Sequence, residues 1–334
     1  MKSITIKDIA RELGISPSTV SRALQNHPDI SLETRHLVQA YAQEHNYKPN
    51  LMASNLRTAR NTTIGLLIPS ATHYFYARVL KGVEQVAAEA GYNIIITQSE
   101  NKTEREQQAI RALLSLRVAG VLACVGLHPE SHRLLRGMID DEIPLVLIGR
   151  QAPLRCDQII SDDYHGAFRA VEYMILSGAK HVAYYTAPLE DSVASERFRG
   201  YKDALQKYDI PFDPKAVIEC YTRTDALVQT PDFLLQPNRP DAVLAVNDQT
   251  AAGILQSAKM LGIQVPEQLQ ICGFSNDMLT RHTDPMLSTV QQHAKAMGQE
   301  AMRLLIARIQ NNDPQLPPQT HILPTNLIVR ESTH

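Results

Sequence analysis

Two periodicities divide the chain. In the first 45 residues, apolar positions recur at helical spacing. Ile6, Ile9, Ala10 and Leu13 fall at i, i+3, i+4 and i+7, and Val20, Ala23 and Leu24 form a second face after a break at Gly14. From Thr63 onward, short continuous apolar runs alternate with amphipathic helical stretches. The runs predict strands over 64–68, 92–97, 121–125, 145–148, 181–186, 242–246 and 269–274. Between them the pattern predicts helices over 77–90, 104–116, 164–176, 194–208, 249–261 and 294–310. Apolar strands alternating with helices imply parallel sheets covered on both faces. The body is too long for one tidy sheet, so two similar lobes are expected. The first spans about 62–160 and the second about 161–289; 290–325 crosses back to the first lobe, and the C-terminus rejoins the second. Sheets of this kind bind ligands beyond the carboxyl ends of their strands.

The head has its own punctuation. Thr5 and Asp8 form an Asp-type capping box, Gly14 suits a left-handed helix end, and Ser16 caps a second helix with Pro17 at its first position. Helical spacing turns Pro17, Ser18, Ser21 and Arg22 outward. A third helix starts near Ser31 and is expected to pack through Leu37, Val38 and Tyr41. In a helix-turn-helix, the outer residues of the second helix meet base edges. Arg22 can give guanine a bidentate contact and Ser18 can donate or accept, while Thr19 and Ser21 are phosphate candidates. Thr5, Ser16 and Asn26 complete the candidate DNA contacts of this region, assigned to 1–46. A three-helix bundle with a solvated polar face is the alternative. Residues 47–61 follow as a hinge. Pro49 ends the preceding element, and Asn50 can cap a helix of about two turns, too short to be stable alone in water. Its apolar residues, Ala53 and Leu56 among them, have no local partner. A helix that forms on docking, with Leu56 as a minor-groove wedge, and a plain linker both fit the residues.

Composition adds an asymmetry. The whole chain has 334 residues and a net charge of -2, but residues 1–60 hold eight Lys and Arg against five Asp and Glu, a local +3 that leaves -5 for the rest. A basic head on a mildly acidic body suits phosphate contacts confined to the head. No apolar run approaches the length of a bilayer span, and charges at Lys7, Asp8, Arg11 and Glu12 interrupt any signal-peptide core, so a cytoplasmic protein without membrane contact is expected. Cys124, Cys156, Cys220 and Cys272 lie far apart without metal spacing and are expected to be reduced thiols.

The opening T-I-K-D-I-A at 5–10, G-I-S at 14–16 and T-V-S-R-A-L at 19–24, with S-L-E-T-R at 31–35 and N-Y-K-P-N-L-M-A-S-N-L at 46–56, closely resembles the lactose/galactose repressor family. The resemblance implies an N-terminal all-α helix-turn-helix headpiece on an α/β, two-lobed, periplasmic-binding-protein-like core with Rossmann-like lobes (62–334). It implies a homodimer on a near-palindromic operator, with recognition helices in adjacent major grooves. Paired hinge helices would occupy the central minor groove, with Leu56 as the intercalating wedge and Ala53 beside it. A cleft between the lobes would close on a small effector, a sugar or sugar derivative. The chain ends without a heptad tail, so the dimer is expected to form through the body.

Candidate effector contacts sit at the predicted strand ends. Ser70, His73, Tyr74 and Phe75 follow the first strand and mix hydroxyls, an imidazole and aromatic faces, as a sugar's rim and apolar face require. Arg150 ends the fourth strand. By the resemblance, Arg197 matches the family's effector-clamping Arg and Asn247–Asp248 its hydrogen-bonding pair. Asp191 lies in the loop before Arg197, and Tyr221 joins the set. Ser275 falls where many members carry Asp. Two arginines toward a cleft lacking that acid predict an acidic effector, such as a uronate or sugar phosphate.

Enzyme signatures are missing: the sequence has no Walker-type phosphate loop, no G-x-S-x-G elbow and no G-x-G-x-x-G fingerprint. His128 and His132 read as exposed helix residues and not zinc ligands, and Asp162–Asp163 as a helix cap. Neither a metal nor a cofactor is called for. A transport binding protein would suit the body but not the head, and a constitutive architectural DNA binder would not need the polar strand ends. The expected function is a transcriptional regulator, a repressor, whose operator affinity is set by an effector.

Overall fold

The computed structural model describes residues 4–47, 61–126, 129–189, 191–311, 313 and 316–334, and divides into two compact units, Met1–Asn61 and Thr62–His334. The first unit holds helices α1 (Ile6–Glu12), α2 (Pro17–Leu24) and α3 (Leu32–Glu44). Thr5 closes both bonds of its capping box with Asp8, Ser16 accepts from the Thr19 amide, and Ser31 accepts from the Thr34 amide. Gly14 takes φ +64°, which ends α1 without a Cβ clash. Ile9, Val20, Ala23 and Val38 are fully buried between the helices. Leu37 departs from expectation at 52% exposed, because Val38 and Ala42 carry the inner face of α3 and Leu37 lies one residue off it.

The second unit is built on two six-stranded sheets. One contains β1 (Thr63–Ile68), β2 (Asn93–Gln98), β3 (Gly120–Ala123), β4 (Leu145–Ile148), β5 (Asp157–Ser161) and β11 (Thr320–Leu323), in the order β11-β5-β4-β3-β1-β2 and parallel throughout. The other contains β6 (Val182–Thr186), β7 (Val217–Glu219), β8 (Ala242–Ala245), β9 (Gln270–Phe274), β10 (Ser288–Gln291) and β12 (Asn326–Ile328), ordered β12-β10-β9-β8-β6-β7, with β12 antiparallel. The helices are α4 (Tyr74–Glu89), α5 (Thr103–Ser115), α6 (Pro129–Asp140), α7 (Asp163–Leu176), α8 (Ser192–Lys207), α9 (Arg223–Leu234), α10 (Asp248–Met260) and α11 (Ala294–Asn311). Each sheet has a separate buried cluster on either face, which is why β3, β4 and β8 carry no polar side chain.

The chain passes between the sheets three times, after β5, after β10 and between β11 and β12. Side chains and backbone tie these crossings together. Gln292 donates to Ser161 Oγ at 2.9 Å and to Asp163 at 3.2 Å, Thr325 donates to the Asp162 carbonyl at 3.0 Å, and the Asp162 amide donates to the Leu323 carbonyl at 2.9 Å. Helices α4 and α11 meet at Gly82 and Gly298. A Cβ on Gly298 would lie 2.1 Å from the Val79 carbonyl oxygen, and one on Gly82 would lie 2.0 Å from that of Lys295, so the backbones approach closely only without side chains there.

Candidate functional site

On the head, α2 presents an exposed face carrying Pro17, Ser18 and Arg22. The Ser16 hydroxyl lies 2.7 Å from that of Ser18 and 2.8 Å from that of Thr19, a cluster at the helix start. Ser21 is a correction: at 5% exposed it belongs to the interior, because α2 is covered by α1 on one side and α3 on the other, and its buried arc spans Val20, Ser21 and Ala23. The Thr5 hydroxyl is engaged by Asp8 at 2.6 Å. Asn26, at φ 57°, follows α2 and accepts from Gln39 at 2.8 Å. Asn50, Ala53 and Leu56 lie outside the described residues.

In the body, a cavity open to solvent lies where the carboxyl ends of β1, β4, β6, β8 and β9 converge from both lobes. His73, Phe75, Arg150, Asp191, Arg197, Tyr221, Asn247 and Ser275 line it, together with Tyr76 and Gln292, which the sequence did not point to. Ser70 and Tyr74 are not among the lining residues; Ser70 turns to Thr72 at 2.8 Å. Asp248 is absent too. Helix α10 begins at this residue, so Asn247 faces the cavity while Asp248 points into the sheet. There it is 1% exposed and accepts from Thr289 Oγ1 and the Asp277 amide, each at 2.6 Å. Burial pushes its carboxyl up to about 7 against those two hydrogen bonds.

Both arginines have acids of their own. Arg197 is 5% exposed and holds Asp163 through Nε at 2.8 Å and Nη2 at 2.7 Å, while Nη1 donates to the Val246 carbonyl. Its guanidinium stacks 3.6 Å from the Phe274 ring centroid. Burial pushes the Asp163 carboxyl up, opposed by Arg197 and the Ser161 hydroxyl. Arg197 is therefore a strut at the crossings as well as a wall of the cavity. Arg150, on the first lobe, donates through Nε to Asp191 on the second at 2.6 Å. Beside it the Gln151 amide donates to Ser192 Oγ at 3.1 Å. The expectation of an acidic ligand loses its basis here, because neither guanidinium carries an uncompensated charge.

The remaining polar groups are neutral. His73 opens α4, and its Nδ1 is buried with no partner among the described residues. Burial lowers its pKa against the opposing field of Asp277. Asn247 caps α10 through its side-chain oxygen and donates to the Tyr221 carbonyl at 2.8 Å. Ser275 donates to Gln292 at 3.0 Å. Among the described residues no cluster of three or more His, Cys, Asp or Glu is placed to hold a metal, and no helix is long and apolar enough to cross a membrane. His132 is half-buried on α6 instead of exposed, and His128 lies outside the described residues.

Comparison with known proteins agrees with this division. Residues 5–50 match bacterial regulatory proteins of the lacI family, and residues 171–333 match the periplasmic binding protein-like domain. Catabolite control protein A of Staphylococcus epidermidis is 32% identical over 334 residues, 99% of each chain. The HTH-type transcriptional repressor PurR of Vibrio atlanticus is 32% identical over 315 residues, covering 92% of this chain and 93% of that one. The lac repressor dimer bound to operator and the anti-inducer ONPF superposes with a TM-score of 0.88 over 99% of both chains, at 24% identity, a likeness of fold.

Proposed function

This chain belongs to the lacI family of bacterial regulatory proteins and is a DNA-binding transcriptional repressor, not an enzyme; from that premise we propose that a small molecule held between its two body lobes sets its affinity for a near-palindromic operator. The observation that carries the reading is a cavity walled by both lobes above three crossings tied together by Ser161, Gln292 and Thr325. A ligand touching both walls makes different contacts at different lobe angles, which is what couples its binding to a change of shape. The working form is a homodimer in the cytoplasm, each head placing α2 in one operator half-site with Arg22 and Ser18 toward the bases. The ligand class is a sugar or sugar derivative. Aromatic surfaces at Phe75, Tyr76 and Tyr221 suit its apolar face, and His73, Asn247, Ser275 and Gln292 suit its hydroxyls.

The test is a melting screen of the full chain against neutral sugars, uronates, sugar phosphates and nucleobases, repeated on Val193→Trp, which fills the cavity from the half-buried start of α8. A compound that raises the Tm of the parent and leaves the variant unmoved binds where the reading puts it. Equal shifts in both chains would contradict it.

A further inference from the structure

We propose that the Arg150–Asp191 pair is the charge filter of the interlobe cavity: it makes the site one for uncharged ligands, and Asp191 is the residue that excludes anions. This deepens the reading of the cavity as the effector site and rests on it. The ionised side chains lining the cavity are Arg150, Asp191 and Arg197, with Asp163 behind the last; paired in twos, their charges cancel. Arg197 spends a donor of each of its three nitrogens on Asp163 and the Val246 carbonyl, and its charge is balanced by the Asp163 carboxylate. Burial lowers the His73 pKa and so disfavours its charged form.

The pair is built, not incidental. Arg150 and Asp191 side chains are 15% and 18% exposed, and each comes from a different lobe. Asp191 caps α8: one carboxylate oxygen accepts from the Val193 amide at 2.9 Å while the other accepts from Arg150 at 2.6 Å. Its position is therefore fixed by the helix start, and it stands beside the guanidinium an anion would seek. An anion reaching Arg150 meets a like charge in a partly desolvated space, and displacing Asp191 breaks a contact between lobes. A hydroxyl faces neither obstacle.

Asp191→Asn isolates the charge. Asn caps helices as well as Asp does, so the helix start survives while Arg150 loses its counter-ion. The experiment titrates the full chain with inorganic phosphate against chloride at equal ionic strength and pH, reading Tm. What counts is the part of the response that Arg150→Gln removes. It is expected to be absent in the parent and saturable in Asp191→Asn, with phosphate binding on the order of tenfold or more tighter, and to vanish in the Arg150→Gln/Asp191→Asn double variant. An Arg150-dependent phosphate response in the parent, or none in Asp191→Asn, overturns the proposal. Should the Asn variant fail to fold, Asp191→Ser removes the same charge and also caps. Failure here would leave any neutral ligand's effect on operator affinity intact, so it is distinguishable from failure of the effector reading.

Discussion

Replacing Asp248 by Asn should remove the share of the pH dependence of stability that this buried carboxyl imposes. Asp248 sits 1% exposed beneath β9, close enough that a Cβ on Gly273 would come within 2.2 Å of its Oδ1. Burial pushes its carboxyl up to about 7, well above the roughly 3.9 of an unburied aspartate. Between those values the native chain keeps a proton that the unfolded chain has released, so stability falls as pH rises and the full cost is felt above pH 7. Integrating that difference gives a loss of about 2–3 kcal/mol between pH 5 and pH 8. Asn carries no charge at any pH, and its amide can accept from the Asp277 N–H while donating to Thr289 Oγ1, whose hydroxyl is free to turn. Urea denaturation of parent and variant at pH 5, 6, 7 and 8 should show the variant gaining on the parent steadily up to about pH 8. Parallel curves would refute the argument and return Asp248 to a solvated, cavity-facing position.

Other consequences follow from the same contacts. Arg22→Ala should weaken binding to a selected operator by about 1–3 kcal/mol and relax preference at one base pair, read by fluorescence anisotropy on single-base variants; an unchanged preference would remove Arg22 from base readout. Arg197→Ala leaves Asp163 buried without its counter-ion and should cost about 3–5 kcal/mol in urea denaturation, so its loss of effector response would be accompanied by loss of stability. A stable variant would mean that Arg197 serves the ligand and not the fold. Gly298→Ala drives a methyl against the Val79 carbonyl and should cost about 1–3 kcal/mol or more, visible as a lower Tm; an unshifted Tm would show that α4 and α11 can separate freely.

What the sequence disclosed follows the physics of each element. Six of the seven predicted strands are buried on both faces; the seventh, 92–97, is the edge strand β2, legible from the run Ile94-Ile95-Ile96 although its positions are exposed or half-buried. The ones it missed are short, polar or at edges. β5 begins Asp157-Gln158, polar residues made tolerable inside by Arg308, at 2.7 Å from each Asp157 oxygen, and by the Ala152 backbone. β11 and β12, at sheet ends, have only exposed and half-buried positions. Helix α9 has Pro231 within it and a weak apolar stripe. At the site, Asn247 and Asp248 look equivalent in sequence, but successive residues at a helix start point to different surroundings. The partners of Arg150 and Arg197 lie 41 and 34 residues away, so their neutralisation was invisible until the lobes were assembled. Gln292 and Asp163 gain their roles from the crossings, which no local pattern announces. On the head, Ser21 was misplaced because a helix covered on two sides hides a wider arc than its apolar residues mark.

The central claim is that occupancy of the interlobe cavity changes the head's hold on DNA. The direct measurement is operator affinity of the full chain, on DNA selected by that chain, with and without a compound that melting places in the cavity. The expected result is a change of about 5–150-fold, in either direction, that disappears in Val193→Trp and is matched by an equal change in the compound's affinity when operator is added. A compound that occupies the cavity and leaves operator affinity unchanged would contradict the account.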